Sequence, residues 1–377
     1  MKILFIGARL FDDVSDYLKR ENIHTILTES NKNAPNTELA DEVFIVPRGM
    51  SEPEKIAIKE KVDAVIPLIG IDAPLKQVAI LKENLKQENI PVISSPLKAV
   101  ELAQDKTLTK KFFQKNNIPT PQFKIIHNPE NKTPESIKEN MEFPIVLKQP
   151  EGQAGRTVEI VNTLQEIQEY INTIPTDKLL VEQFIQGDEI SIEVLCWNKT
   201  YTPLVPVFKG KTTLEGTHPL YKTKKAPYTK NKQLYNKIQQ IAEKIAEKMG
   251  CEGTIDIDLI YDEKEVYAIE VNTRPSGTRY LTTASSHINP LHQLINMATG
   301  KYNPETLIKK EYIGEEIPIG TFTSEKIINP NTNKPLKEFL DENTWVVHGP
   351  ENYERITISA TNEENLEKII KKLNIKK

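Results

Sequence analysis

Over the first hundred residues, short apolar runs alternate with amphipathic stretches, and few folds accept such a pattern. The runs are KILFIG (2–7), HTILTE (24–29), EVFIVP (42–47), DAVIPL (63–68) and PVISS (91–95). Helical patterns such as DDVSDYLKREN and APLKQVAILKENLKQ lie between them. This alternation predicts a parallel sheet covered by helices. The first run ends in Gly7-Ala8-Arg9-Leu10, without the G-x-G-x-x-G spacing that seats a dinucleotide pyrophosphate. A Rossmann-like layer put to another use is the better reading, and a dehydrogenase is the weakest one. In such sheets ligands sit beyond the carboxyl ends of the strands. That rim carries Gly7, Glu29 and the turn 68–72.

From residue 96 the pattern changes to mixed α+β with antiparallel pieces. Residues 96–117 read as helix with a break at Ala103-Gln104-Asp105, where Asp105 resembles an N-cap. A loop (127–142) leads to the strand FPIVLKQ, the turn PEGQAGR and the strand TVEIVN. The helix LQEIQEYIN follows, then the strands KLLVEQFI, EISIEVLCW and YTPLVPVF. Residues 209–232 read as a polar, basic loop and 232–249 as a long amphipathic helix. GTIDIDLIY and EVYAIEVN form a hairpin around Asp262-Glu263-Lys264. After 310 come EEIPIGTFTS, TWVVHG, ERITISA and a terminal helix, EENLEKIIKKL.

That hairpin carries the chemistry. Val266 to Ile269 read as core, after which Glu270, Asn272 and Arg274 alternate onto one face of the strand. Asp258 sits on the neighbouring strand. Two carboxylates and an amide are an all-oxygen donor set of the kind magnesium takes beside substrate phosphates. A guanidinium next to it suits phosphate oxygens. On the hairpin alone, a solvated strand end explains the acids equally well. Gly152 and Gly155 lie in a hairpin turn flanked by Lys148 and Arg156, either a phosphate-binding flap or a plain loop. Glu182 and Glu189 flank a break at Gln186-Gly187-Asp188, and Lys106 follows the Asp105 cap. Singly, each reads as ordinary surface or edge chemistry.

Composition removes several classes of function. With 49 Lys plus Arg against 53 Asp plus Glu, the net charge of −4 gives no general affinity for nucleic acid. Cys196 and Cys251 form no CxxC or Cys/His cluster, which argues against structural zinc and a disulfide framework. No run approaches the roughly 18 apolar residues of a membrane span, and MKILFIGARLF is too short an apolar run for a signal peptide. The chain is expected to be soluble and cytoplasmic.

In order and spacing, these pieces together resemble the ATP-grasp ligases. The nearest likeness is to the carbamoyl-phosphate-synthase-like and PylC-like branch of carboxylate–amine ligases, and it covers nearly the whole chain. It includes ADEVFIVP and KVDAVIPL in the leading domain and a short βαβ-like C-terminal tail. The resemblance implies an α/β fold: a Rossmann-like pre-ATP-grasp domain (1–103), a small lid subdomain (104–185), a larger subdomain with the metal site (186–310) and a C-terminal α/β subdomain (311–377). It implies that Lys106 and Lys148 contact ATP and that the flap 151–157, with Gly152, Gly155 and Arg156, closes over the phosphates. Glu182, Phe184 and Ile185 would line the adenine hinge and Glu189 would take the ribose. Asp258, Glu270 and Asn272 would hold Mg2+ or Mn2+, usually two ions, and Arg274 would steady the transferred phosphoryl group, with Lys148 its catalytic companion. The flap has fewer glycines than is common in the family, and Arg156 would compensate.

The implied activity is amide or peptide bond formation through an acylphosphate, on small-molecule carboxylate and amine substrates of amino-acid or peptide type. A cell-wall peptide or an amino-acid-derived metabolite would fit. Substrate-site candidates are Glu29, Asp72, His218 and Arg279, with Lys222 and Lys224 as further cations. A homodimer is one possible assembly, with no nucleic-acid or membrane partner. Two alternatives remain: a bicarbonate-activating enzyme of the carbamoyl-phosphate-synthase or carboxylase kind, and a catalytically silent ATP-binding module.

Overall fold

The computed structural model describes residues 1–152, 157–214, 222–307, 309, 311–318, 328–329, 334–335, 337–338, 343–348 and 355–372. Its first unit is built from β1 (Lys2–Ile6), α1 (Ser15–Arg20), β2 (His24–Glu29), β3 (Glu42–Ile45), α2 (Ser51–Lys59), β4 (Ala64–Pro67) and α3 (Leu75–Lys86). The four strands are parallel in the order β3-β2-β1-β4. Alternation along β1 sends Ile3 and Phe5 to one core and Leu4 and Ile6 to another, one on each face of the sheet. That two-sided burial is why these strands read as continuous apolar runs. PVISS is not a strand. It meets β4 only at the bridge between Val65 and Val92, and the chain then leaves for the next helix at Pro96.

Two helices follow, α4 (Leu97–Gln104) and α5 (Lys106–Lys115). Asp105 separates them, its carboxylate accepting from the backbone N–H groups of Thr107 and Leu108. A small antiparallel sheet comes next: β5 (Phe123–His127), β6 (Ile145–Lys148), β7 (Val158–Val161) and β8 (Lys178–Gln183), ordered β5-β8-β6-β7. Helices α6 (Pro134–Lys138) and α7 (Leu164–Thr173) close its own core around Ile145, Leu147, Ile167 and Val181. The sequence reading of 127–142 as loop missed α6, whose single turn and a half carries almost no periodicity.

Among the described residues the largest sheet has nine strands. It begins with β9 (Asp188–Trp197), β10 (Thr200–Lys211), β11 (Lys224–Ala226), β12 (Gly253–Tyr261), β13 (Val266–Asn272) and β14 (Ile313–Pro318). The order is β13-β12-β9-β10-β11-β14, continued by the strands Arg355–Ala360, Asn343–His348 and Lys337–Glu338. The C-terminal strands pair antiparallel and extend this one sheet, so the expected βαβ-like tail is corrected. The basic stretch read as loop from 209 also contributes strand residues: β10 runs on to Lys211, and β11 joins it to β14. Helix α8 (Lys232–Met249) covers one face. Asn231 caps its start, Gly250 ends it in the left-handed region, and Leu234, Ile238, Ala242 and Ile245 face the sheet. On the opposite face lie α9 (Arg279–Ser286) and α10 (Pro290–Ala298), and α11 (Glu363–Lys372) packs on the C-terminal strands.

Helix α10 also enters the core beneath β1 and β4, so the first unit and the large sheet share apolar packing. Cys196 and Cys251 are buried free thiols. Among the described residues, no helix is long and apolar enough to cross a membrane.

Candidate functional site

A β-bulge sets the geometry of the site. Across the β12–β13 ladder Asp256 faces Asn272 and Asp258 faces Glu270, but Leu259 faces Ala268, which leaves Ile269 unmatched. The extra residue shifts the alternation by one. Val266, Ala268 and Val271 therefore all face the α8 core, while Tyr267 and Ile269 are only half-buried, correcting their reading as core. Glu270 and Asn272 are thereby placed on the other face, beside Asp256 and Asp258. Arg274 lies just beyond the strand. Its Nε donates to Asp72 Oδ1 at 2.5 Å and its Nη2 to Asn272 Oδ1 at 3.2 Å.

Lysines approach from three elements. Lys106, at the start of α5, donates through Nζ to the Gly152 carbonyl at 2.7 Å, tying that helix to the glycine turn. Gly152 has φ +141°, a value costly for any residue with a Cβ. Lys148, on β6, lies 3.1 Å from Glu182 Oε1, and Lys110, on α5, lies 3.2 Å from Glu182 Oε2. Burial pushes the Lys110 pKa down to about 8 against the pull of Glu182. For Glu182 itself burial raises the pKa, but the two lysines outweigh it and the carboxyl is lowered. Lys209 reaches in from β10, with Nζ 2.6 Å from Asp258 Oδ1.

These charges act on one another strongly. Burial pushes the Asp258 carboxyl up to about 7, with Lys209 opposing and Asp256 and Glu270 adding to it. Burial also raises Glu270, but Lys106, Lys209 and Lys148 outweigh it and its pKa is lowered. The two residues face each other across the ladder. Facing buried carboxylates repel one another, and a divalent cation relieves that repulsion. The donors Asp258, Glu270 and Asn272, all oxygen, fit Mg2+ in chemistry. Among the described residues no three His, Cys, Asp or Glu side chains form a metal cluster.

The structure assembles Lys106, Lys148, Gly152, Asp258, Glu270, Asn272 and Arg274 around the carboxyl end of β13. Glu182 is buried between Lys148 and Lys110. Phe184 and Ile185 are half-buried in the crossover to β9, and Glu189 accepts from Lys222 Nζ at 2.8 Å. Gly155, Arg156 and His218 lie outside the described residues.

The proposed substrate residues fare differently. Glu29 accepts from the backbone N–H groups of Ala8, Ser30 and Asn31 and so ties loops together. Burial raises its pKa, but those N–H groups win and hold it low. Asp72 orients Arg274. Arg279 donates to Asp13 Oδ2 through Nε and Nη2, at 2.9 and 2.7 Å, and Tyr280 Oη reaches Oδ1 of the same carboxylate. Its guanidinium is thus committed to the first unit. Lys224 is paired with buried Glu316, which Arg355 and His348 also approach.

Sequence reasoning missed Lys110, Lys209, Asp256 and Glu193. The last two had a legible signal, since alternation in TIDID and EISIEV puts Asp256 and Glu193 in phase with Asp258 and Glu189. Glu193 and Asp256 are register partners on β9 and β12.

Residues 103–278 match the family described as ATP-grasp domain, and residues 3–93 match the PylC-like, N-terminal domain. A carbamoyl-phosphate synthase of Methanobrevibacter smithii is 48% identical over 378 residues, covering 99% of this chain and 100% of that protein. The carbamoyl phosphate synthase large chain of Clostridium botulinum is 26% identical over 272 residues, covering 69% of this chain but only 24% of that protein. Among solved structures, biotin carboxylase from Campylobacter jejuni, in complex with β-γ-ATP, superposes with a TM-score of 0.77 at 17% identity, covering 98% of this chain and 90% of that one. L-amino acid ligase from Bacillus licheniformis gives 0.72 at 20% identity, covering 99% and 96%.

Proposed function

This chain belongs to the ATP-grasp superfamily, in its carbamoyl-phosphate-synthase-like and PylC-like branch, and is an ATP-dependent ligase; from that premise we propose that it forms an amide or peptide bond through an acylphosphate. The observation that carries this reading is the grouping of Lys106, Lys148 and Lys209 about Glu270, itself paired with Asp258 across the ladder.

Asp258, Glu270 and Asn272 would hold Mg2+ or Mn2+, which supplies charge neutralisation on the ATP phosphates. Lys106 and Lys148 bind phosphate oxygens beside the turn that carries Gly152. Phe184 and Ile185 face the base, and Glu189 takes the ribose once Lys222 yields it. Arg274, aimed by Asp72, holds the transferred group. A substrate carboxylate oxygen attacks the γ-phosphorus; that P–O bond forms as the bond to ADP breaks. The amine nitrogen then attacks the acyl carbon, the C–N bond forms, and phosphate leaves with the acyl C–O bond electrons. The amine's surplus proton passes to phosphate or solvent. Positioning and electrostatics do this work, without a protein nucleophile.

An amino-acid or peptide-type carboxylate is the proposed substrate class, supported by the fold shared with an L-amino acid ligase. We place the work in the cytoplasm, with a homodimer as the proposed assembly. The four-part division at 103, 185 and 310 is proposed as the functional one, the small sheet (β5–β8) being the part that closes on nucleotide. Bicarbonate is the second reading, favoured by the name of the 48% identical relative. Phosphate release from MgATP, screened over carboxylate–amine pairs with and without labelled bicarbonate, tests both. Equal release by wild type and Glu270→Ala in every pairing would sink the site assignment. Label from bicarbonate in the product would replace the first reading by the second.

A further inference from the structure

Lys110 is 1% exposed and joins three parts of the fold. From α5 its Nζ donates to Thr120 Oγ1 at 2.7 Å and to the Ala268 carbonyl at 3.4 Å, and it lies 3.2 Å from Glu182 Oε2 on β8. The Thr120 hydroxyl donates to the same Ala268 carbonyl at 2.7 Å, and the Ala268 N–H donates to the Pro119 carbonyl at 2.7 Å. Ala268 is the residue of β13 that precedes the bulge. An ammonium has three N–H donors, and here each faces an acceptor on a different element.

Lys148 is held less firmly. Its side chain is 11% exposed, and although its Nζ lies 3.1 Å from Glu182 Oε1, that oxygen accepts no hydrogen bond. Lys148 also acts on Glu270, across the site. Burial raises the Glu182 carboxyl, and of the two lysines that bring it down Lys110 contributes the more. Glu182 thus has one oxygen beside an anchored cation and only a loose claim on Lys148. A buried carboxylate left with a single lysine would draw that lysine fully onto itself, because nothing else there replaces water.

We infer that Lys110 is a positioning residue: it occupies Glu182 so that the Lys148 ammonium stays free to meet ATP phosphate. This rests on the proposed phosphate role of Lys148.

Calorimetric titration of the full chain with ADP and with adenosine, in the presence of Mg2+, tests it. Lys110→Met should weaken ADP about tenfold and leave adenosine unchanged, because only the phosphates lose their lysine. Adding Glu182→Gln to that variant should bring ADP affinity back to within about threefold of wild type, since a neutral amide does not draw Lys148 in. A purely structural Lys110 would weaken both ligands together, or leave the double variant worse than the single one. Either result overturns the inference, as does wild-type ADP affinity in Lys110→Met. Lys110→Gln, neutral but still a donor, takes the place of the methionine variant should that one not fold. Lys148→Met separates the two failures. If it binds ADP as wild type does, the phosphate role of Lys148 falls; if it loses ADP while Lys110→Met does not, only the role of Lys110 falls.

Discussion

Replacing Glu193 by glutamine should make the protein more stable at alkaline pH. Glu193 is 1% exposed and lies directly across from Asp256, a second buried acid. Burial, and then the Asp256 charge, push its carboxyl up to about 8 from an ordinary 4.5. The folded protein thus holds a proton that the unfolded chain gives up. That hold stabilises the fold in full below about pH 4.5 and is lost as pH rises to about 8. At ~1.4 kcal/mol per tenfold change in proton affinity, the loss reaches about 5 kcal/mol. An unfolding entropy of ~2.1 cal/mol/K per residue makes this about 6 °C in Tm for a chain of this length. The glutamine amide would keep the shape and the acceptor for the Ser276 N–H, 3.4 Å away in wild type, without the charge. Scanning calorimetry of wild type and Glu193→Gln between about pH 5 and pH 9 reads the difference directly. The curves should nearly coincide at the acid end and separate by several degrees at the alkaline end, with the variant above. Parallel curves, or a variant that melts lower at alkaline pH, would refute the reasoning.

Gly187→Ala would set a Cβ 2.3 Å from the Tyr261 carbonyl oxygen, a backbone atom that cannot turn aside; a loss of about 3 kcal/mol or more is expected in urea unfolding. Asp72→Asn removes the charge that aims Arg274, so phosphate release should fall about tenfold in kcat while ADP affinity, read by calorimetry, stays the same. For Glu316, burial raises the carboxyl, but Lys224 and Arg355 bring it down to about 2. Its stabilisation is present above about pH 4.5 and lost between there and about pH 2, roughly 3 kcal/mol in acid unfolding, a slope that Glu316→Gln should flatten.

The periodic parts of the fold could be read directly. The first four strands, α8 and the β12–β13 hairpin follow from alternation and capping residues that act locally. The bulge at Ile269 could not be read, because nothing in EVYAIEVN marks which residue is unmatched; the partner strand decides that. The face shared by Glu270 and Asn272 was still recovered, since both lie beyond the bulge and alternate regularly, whereas Arg274 lies past the end of the strand and meets Asn272 through a hydrogen bond. Lys209 and Lys110 were illegible for another reason. Each meets its partner across more than forty residues of chain, and a lysine in FKGK or TKKFF resembles any surface lysine. The partners of Glu29 and Arg279 were equally illegible, since sequence shows a charge and not the three backbone N–H groups or the Asp13 carboxylate that meet it.

The central claim is that ATP's γ-phosphoryl group passes to a substrate carboxylate at the Asp258–Glu270 end of β13. Mass spectrometry of the phosphate released from a carboxylate labelled with heavy oxygen tests it most directly. One labelled oxygen per phosphate is the expected result, absent with Glu270→Ala. Unlabelled phosphate during productive amide formation would contradict it.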